Sequence, residues 1–302
     1  MRISPDLSQL VLTALNVSDQ AEQTALQQMT TGRRVNQASD DPADAALDVN
    51  IAFQMDSCDR YLRSISSLES ELQTADSSLN SAVTALQSAI NLGVEGSNGT
   101  VSQQNRATIG QQVSGIAQQI LGIANSSYNG NYLFAGTADA QPPYVQNSDG
   151  TITYHGNDNV NSVQIENGQS VAINQPGSAL FSAQGASVFQ ALNNLVTALQ
   201  DPNSTTQDIG NATTELRSAY DQLTNARTFY GSTVDQLVST QNFLNNENVQ
   251  LSAQQNNAVG VDMNVAVTKL TNAEEARQAT VQAAASIDNL SLMDYLSSVT
   301  TT

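Results

Sequence analysis

Residues 209–258 read IGNATTELRSAYDQLTNARTFYGSTVDQLVSTQNFLNNENVQLSAQQNNA, and Ile209, Leu216, Leu223, Tyr230, Leu237, Leu244, Leu251 and Ala258 recur there at every seventh position. A spacing of seven returns a side chain to nearly the same face of an α-helix, so this stretch predicts one long helix pressing one long seam against a partner. At a rise of about 1.5 Å per residue the segment would extend roughly 75 Å, more than a compact domain needs. The expectation is an elongated helical rod. Such chains assemble more often than they catalyse.

A second beat lies upstream. Ile51, Cys58, Ile65, Leu72, Leu79 and Leu86 also repeat at seven, with Met55, Leu62, Val83 and Ile90 on a companion position. Glu69 and Asp76 fall on that companion line and predict a locally polar seam. The cluster Gly93, Gly96 and Gly99 is read as the turn that ends this helix. Before it, Ile3, Leu7, Leu10, Ala14, Val17 and Ala21 alternate at spacings of four and three, a weaker seam built of smaller residues. Gly32 stops that first helix, and Ser39-Asp40-Asp41-Pro42 starts the next, with proline in the first turn and carboxylates at the positive helix end.

Ile109, Val113, Ile116, Ile120 and Ile123 mark a third helix. The texture then changes: from Gly130 to about Gly185 the chain is rich in Gly, Asn and Pro. Short β-type runs (TITYHG, NSVQIENG, QSVAINQPG) carry turn signals at Asp149-Gly150 and Asn167-Gly168. Helices resume at Val188, Leu192, Leu195 and Leu199, pause at Asp201-Pro202, and enter the long helix. After Gly260 a last helix holds Val267, Leu270, Ala273, Val281, Ala284 and Ile287. The order is a palindrome: weak seam, turn, long helix, β insert, long helix, turn, weak seam. It predicts a mainly α chain with a small β-rich insert at its middle. The helices near 43–91 and 207–258 pair antiparallel, and the ends lie side by side. Three parts follow: 1–40 with 261–302, 41–129 with 186–260, and a head at 130–185. The Ala-rich ends bury little surface and are expected to order only when neighbouring copies surround them.

Composition excludes several function classes. Apolar residues make up 39% and aromatics 5% with no Trp, which suits thin bundles better than a thick core. Ten basic against 28 acidic residues leave a net charge of −18, so no nucleic-acid groove and no anionic membrane surface is expected as partner. No run approaches the roughly 18 apolar residues of a membrane span. MRISPDLSQLVLTALNVSDQ has no continuous apolar core or cleavage site, pointing to a cytoplasmic protein or one exported with its N-terminus intact. The single Cys58 forbids an internal disulfide and sits on a seam, as a buried structural thiol would.

The residues that could carry chemistry form no set. His155 is the only histidine and has no evident nucleophile or second base beside it in the sequence. One Cys and one His cannot supply a usual zinc ligand set. Asp40-Asp41 and Asp158 lie outside any twelve-residue calcium loop, and Asp40-Asp41 is read as a helix cap. Asn98-Gly-Thr and Asn203-Ser-Thr match glycosylation acceptors, a pattern that chance supplies in an Asn- and Thr-rich chain. Gly130 and Gly136 flank no phosphate loop. No catalytic, cofactor-binding or metal-binding residue is assigned.

QMTTGRRVNQASDDPADAAL (28–47) resembles the turn joining the terminal and middle domains of bacterial flagellins and hook-associated proteins. NSSYNGNYLFAGT (125–137) is similar to the stretch leading into that family's variable head, and DMNVAVTKLTNAEEARQATVQAAASIDNLSLMDYL (262–296) to its C-terminal helix. The MRIS opening and NLSLMDYL ending point toward the family's hook–filament junction members; Ser297–Thr302, running beyond that ending, departs from them. The resemblance spans nearly the whole chain. It implies a secreted structural subunit of the bacterial flagellum and no enzyme. Such a subunit leaves through the type III export apparatus with an export chaperone. It then packs against copies of itself, hook-associated protein one and flagellin. A short flagellin is the rival within the family, and a cytoplasmic coiled-coil scaffold the rival outside it.

Overall fold

The computed structural model describes the backbone of residues 5–148 and 150–299 and the side chains of 9–148 and 150–286. Ile3 and Asp149, and the side chains of Leu7, Ile287 and the other residues at both chain ends, therefore lie outside the described residues. The chain is 71% helical. Its helices are α1 (Pro5–Thr31), α2 (Pro42–Gly96), α3 (Gln103–Ala124), α4 (Gly177–Phe181), α5 (Val188–Gln200), α6 (Thr206–Val259) and α7 (Met263–Val299). Six short strands lie between α3 and α4: β1 (Ser127–Tyr128), β2 (Asn131–Tyr132), β3 (Tyr144–Gln146), β4 (Ile152–Tyr154), β5 (Ser162–Glu166) and β6 (Gln169–Ala172). They pair as three separate antiparallel hairpins. The mainly α class with a mid-chain β insert is thus as expected, although the β structure begins at Ser127 rather than Gly130. Contacts divide the chain into two units, residues 58–245 and residues 1–57 with 246–302.

In the unit of residues 58–245 the seven-residue beat is a buried seam. Cys58, Ile65, Leu72, Leu79 and Leu86 of α2 and Ile209, Leu216, Leu223, Tyr230, Leu237 and Leu244 of α6 are all buried. Beside them run small residues: Ala75, Ala82 and Ala89 on α2, and Ala219, Ala226, Thr233 and Thr240 on α6. Glu69 and Asp76 do not interrupt this line, because Leu68 and Ala75, one position earlier, carry it inward. Asp76 sits at the edge instead and accepts from Arg227 Nε at 2.9 Å and Nη2 at 3.1 Å. Arg227 Nη1 also donates to Asn80 Oδ1 at 2.9 Å.

The glycines at the end of α2 have a different role from the one their sequence suggested. Gly93 and Gly96 are helical and buried, and only Gly99 falls in the turn beyond. A Cβ on Gly93 would lie 2.5 Å from Thr213 Oγ1 and 3.2 Å from Leu195 Cδ2, and one on Gly96 would strike Leu199. These two glycines permit close helix approach. Since Asp76 faces Arg227 while Gly93 faces Thr213, α2 and α6 run antiparallel here. Ser102 and Ser187 cap α3 and α5, accepting from the amides of Asn105 and Gln190.

Two-stranded hairpins are marginal alone. The β3–β4 hairpin is held by an aromatic cluster in which Tyr144 lies 5.1 Å from both Tyr154 and Phe189 and 5.8 Å from Phe181, ring centre to ring centre. Phe134 meets Phe181 edge-on at 5.5 Å; contacts of this type contribute about 0.5–1.5 kcal/mol each beyond area burial. Asn125, just after α3, brackets the backbone of Tyr144, donating to its carbonyl at 2.8 Å and accepting from its amide at 2.9 Å. The Tyr230 hydroxyl accepts from the Gln175 amide at 3.3 Å, so the α6 seam itself holds the segment after β6.

In the unit of residues 1–57 and 246–302, Ile51, Leu251, Ala258, Val259 and Val35 are buried. α1 packs on α7 through Ser18, Ala25, Ala266 and Ala273, all small. Here the expected seams are corrected. Leu10, Ala14, Val17 and Ala21 of α1 and Val267 and Val281 of α7 are exposed, not buried between the two helices.

Candidate assembly surface

Two connections meet at the clasp between α1 and α2 on one side and α6 and α7 on the other. Gly32 ends α1 with φ +68°, a left-handed conformation that glycine adopts freely. The following backbone makes an antiparallel bridge with the turn after α6: Arg34 N–H donates to the Val259 carbonyl at 2.7 Å and Val261 N–H to the Gly32 carbonyl at 3.1 Å. Arg34 fans its guanidinium over three acceptors: Asp44, Asp41 at 3.3 Å, and the Ala258 carbonyl at 2.9 Å. Arg33 pairs with Asp48, whose other oxygen accepts from Gln255 at 2.8 Å.

Asp41 caps α2, accepting from the amides of Ala43 and Asp44 at 3.2 Å, with Pro42 as the first helical residue. The Asp44 amide, and next the Arg34 guanidinium, hold the Asp41 carboxyl below its ordinary range. Asp41 and Asp44 in turn raise the pKa of Arg34, the hydrogen bond it donates to Asp41 being the largest cause. Asp40 is not part of the cap. It closes the preceding loop by accepting from the amides of Asn36 and Gln37.

Beyond the clasp, α1 and α7 run antiparallel. Arg277 Nε lies 2.9 Å from Asp19 and its Nη1 3.4 Å from Glu22, while Ser18 donates to the Ala273 carbonyl at 3.5 Å. Along them opens a groove of about 1170 Å³, walled by Leu10, Ala14, Val17 and Ala21 on one side and by Ala273 and Ala276 on the other. Leu10 is 68% and Val17 61% exposed. Met263, Val265, Val267 and Val281 leave α7 similarly apolar on the outside. Monomers seldom leave apolar helix faces of this kind to water, and covering one returns about 25 cal/mol per Å² of apolar surface. The arrangement presents an exposed helical stripe at spacings of four and three.

The residues singled out for chemistry lie elsewhere and have structural partners. His155 is exposed after β4; its amide donates to the Pro143 carbonyl at 2.7 Å and its ring Nε2 is 3.1 Å from Thr153 Oγ1. Asp158 accepts from the Ser178 hydroxyl. Gly130, with Asn129, forms the β1–β2 turn at positive φ, and Gly136 adopts φ +72° where Asn157 bonds the adjoining Thr137 amide. Cys58 is buried in α2. Among the described residues no group of three or more His, Cys, Asp or Glu is placed to hold a metal ion. Nor, among those residues, is any helix long and apolar enough to cross a membrane. Sequence reasoning missed Asp48 and Gln255 of the clasp, and Gln28, whose side-chain amide donates to the Arg34 carbonyl at 3.0 Å. The available signal was two adjacent arginines beside acids at 40, 41, 44 and 48 in a chain poor in positive charge.

No curated protein matches the chain. Among solved structures it is similar to a proposed flagellar hook-associated protein from Vibrio parahaemolyticus: TM-score 0.68, 19% identity, 73% of this chain and 100% of that one. It is also similar to the flagellar junction protein FlgL from Legionella pneumophila (TM-score 0.60, 14% identity, 71% and 100%) and to Bacillus cereus FlgL (TM-score 0.59, 21% identity, 68% and 99%). Residues 3–139 match the model of the bacterial flagellin N-terminal helical region and residues 213–296 that of the C-terminal helical region. Together the two matches span well over half the sequence and take in both walls of the exposed groove: the chain belongs to the flagellin family.

Proposed function

We propose that this protein is a structural subunit of the bacterial flagellum, the hook-associated protein three that joins the hook to the filament, and that it catalyses no reaction. The observation that carries the reading is the exposed apolar stripe of α1 and α7, on a fold shared with junction proteins. The chain is exported without signal cleavage by the type III apparatus, attended by an export chaperone. It then docks through residues 1–40 and 261–302 against copies of itself, hook-associated protein one and flagellin. Residues 41–129 with 186–260 form the long-helix middle part, and 130–185 the small head. Free energy for assembly comes from apolar helix faces buried between subunits, with ordering of the ends coupled to docking.

The test is a strain lacking the protein. A junction subunit predicts intact hooks, no stable filaments, and flagellin monomer shed into the medium, seen by electron microscopy and a flagellin blot. A short flagellin would instead leave bare hooks with no other major flagellin in the supernatant. Attached filaments of normal length would contradict the junction role.

A further inference from the structure

The chain contains six Asn-x-Ser/Thr triplets, beginning at Asn16, Asn98, Asn125, Asn203, Asn211 and Asn289. A transferase that modifies such a triplet must surround it, which requires an exposed, non-helical acceptor with a free amide nitrogen and a hydroxyl two residues on. Asn16 and Asn211 lie inside helices, and their hydroxyl partners are buried: Ser18 bonds the Ala273 carbonyl and Thr213 the Ile209 carbonyl. The amide of Asn125 is spent on the backbone of Tyr144. At Asn203 the amide nitrogen donates to Asp201 at 3.3 Å, and the Thr205 hydroxyl is taken by Asp208 at 2.7 Å. The Asn289 side chain lies outside the described residues.

Asn98 differs on every point. It stands in the exposed loop between α2 and α3, with Gly99 and Thr100 exposed beside it. Its Oδ1 accepts from the Thr100 amide at 3.1 Å and the Thr100 hydroxyl at 2.9 Å. Among the described residues its Nδ2 meets no acceptor in any hydrogen bond recorded for the loop. Two donors on one amide oxygen stabilise negative charge there, which favours the imidate formed when Nδ2 gives up a proton to a base, and the imidate nitrogen keeps an in-plane lone pair for attack.

We propose that Asn98 is an acceptor for a sugar delivered from a nucleoside-diphosphate hexose by a glycosyltransferase. The Asn98 nitrogen forms a bond to the anomeric carbon, the bond from that carbon to the diphosphate oxygen breaks, and the nucleoside diphosphate leaves with the electron pair. The amide proton passes to a base on the transferase.

The test is peptide mass mapping of the full-length protein recovered from its own cells, alongside Thr100→Ser and Thr100→Ala variants expressed there. Expected is an Asn98 peptide heavier by at least one hexose, retained in Thr100→Ser and lost in Thr100→Ala, with the Asn203 and Asn211 peptides unmodified. An unmodified Asn98 peptide overturns the assignment, as does one showing only the small increase of deamidation at Asn98-Gly99. Retention of the sugar in Thr100→Ala, or equal modification at Asn203, overturns it as well, since the loop geometry would then not be selecting the site.

Discussion

Two apolar stripes at helical spacing run through this molecule and end in opposite situations. On α6, Leu216, Leu223, Leu237 and Leu244 are almost wholly withdrawn from water. On α1, Leu10 and Val17 occupy equally periodic positions and stay more than half exposed. The difference is the neighbour each helix finds within its own chain. α6 meets α2 along a line of matched Leu and Ala, so its stripe is consumed in folding. α1 meets α7 through Ser18, Ala25 and Ala273, a contact made of small residues on another face, and its larger side chains are left over. The seam stores the stability of the fold; the left-over stripe is free to store the stability of an assembly.

The largest effect that should separate the two is a charge placed on each. Leu237→Asp buries a carboxylate without a partner and should destabilise the unit of residues 58–245 by several kcal/mol, about 3–5. Ser239→Asp, two residues away and exposed, should change stability by less than about 0.5 kcal/mol. Val17→Asp should behave like Ser239→Asp in the monomer yet prevent incorporation into flagella. Equal thermal midpoints for Leu237→Asp and Ser239→Asp would mean that the seam is assigned to the wrong face.

A smaller effect probes how closely the seam is fitted. Gly93→Val forces side-chain atoms into Thr213 and Leu195 and should cost about 1–3 kcal/mol in chemical denaturation, as overpacked cores do. Gly115→Val, at a helical glycine with open space around its would-be Cβ, should not reproduce a loss of that origin. A tolerated Gly93→Val would break the argument that close helix approach defines this unit.

The smallest effect is on pH dependence, and its sign differs between the units. Burial first, and the nearby Asp139 charge second, raise the pKa of Glu71 above the ordinary carboxylate value. A raised acid binds its proton more tightly when folded, so its contribution disfavours the unit of residues 58–245 as pH rises through the window from the unfolded to the folded pKa. Glu71→Gln should therefore raise the thermal midpoint slightly at neutral pH and leave it unchanged in acid. Asp41 is lowered, so its stabilising contribution to the clasp is present above the unfolded pKa and is lost as pH falls through the folded one. Asp41→Asn should accordingly flatten the acid sensitivity of the clasp; an unchanged acid profile would remove Arg34–Asp41 from the account.

How far the sequence could be read follows from the same contrast. The seam was legible because large side chains repeat at seven over many turns, and only one helix face can hold them. The stripe on α1 was also legible as a stripe, but spacing reports that residues share a face and not what covers it. On the companion line Val83 and Ile90 are buried as expected, while at Glu69 and Asp76 the preceding Leu68 and Ala75 turn inward instead, and an alanine is too small to stand out in the sequence. Gly93 and Gly96 resembled turn glycines, since the need for close packing comes from Leu195, Leu199 and Thr213, about a hundred residues away. In the insert, β4, β5 and β6 announced themselves through TITYHG, NSVQIENG and QSVAINQPG. The two-residue β1 and β2 are too short to show alternation.

Hydrogen exchange on the dilute full-length monomer and on intact flagella tests the central claim most directly, that the seam belongs to the fold and the terminal stripe to the assembly. Amides of residues 206–245 should be protected in both samples, while those of 9–31 and 263–286 should exchange quickly in the monomer and become protected in the flagellum. Equal protection of the two regions in the dilute monomer, or terminal amides that gain nothing on assembly, would contradict it.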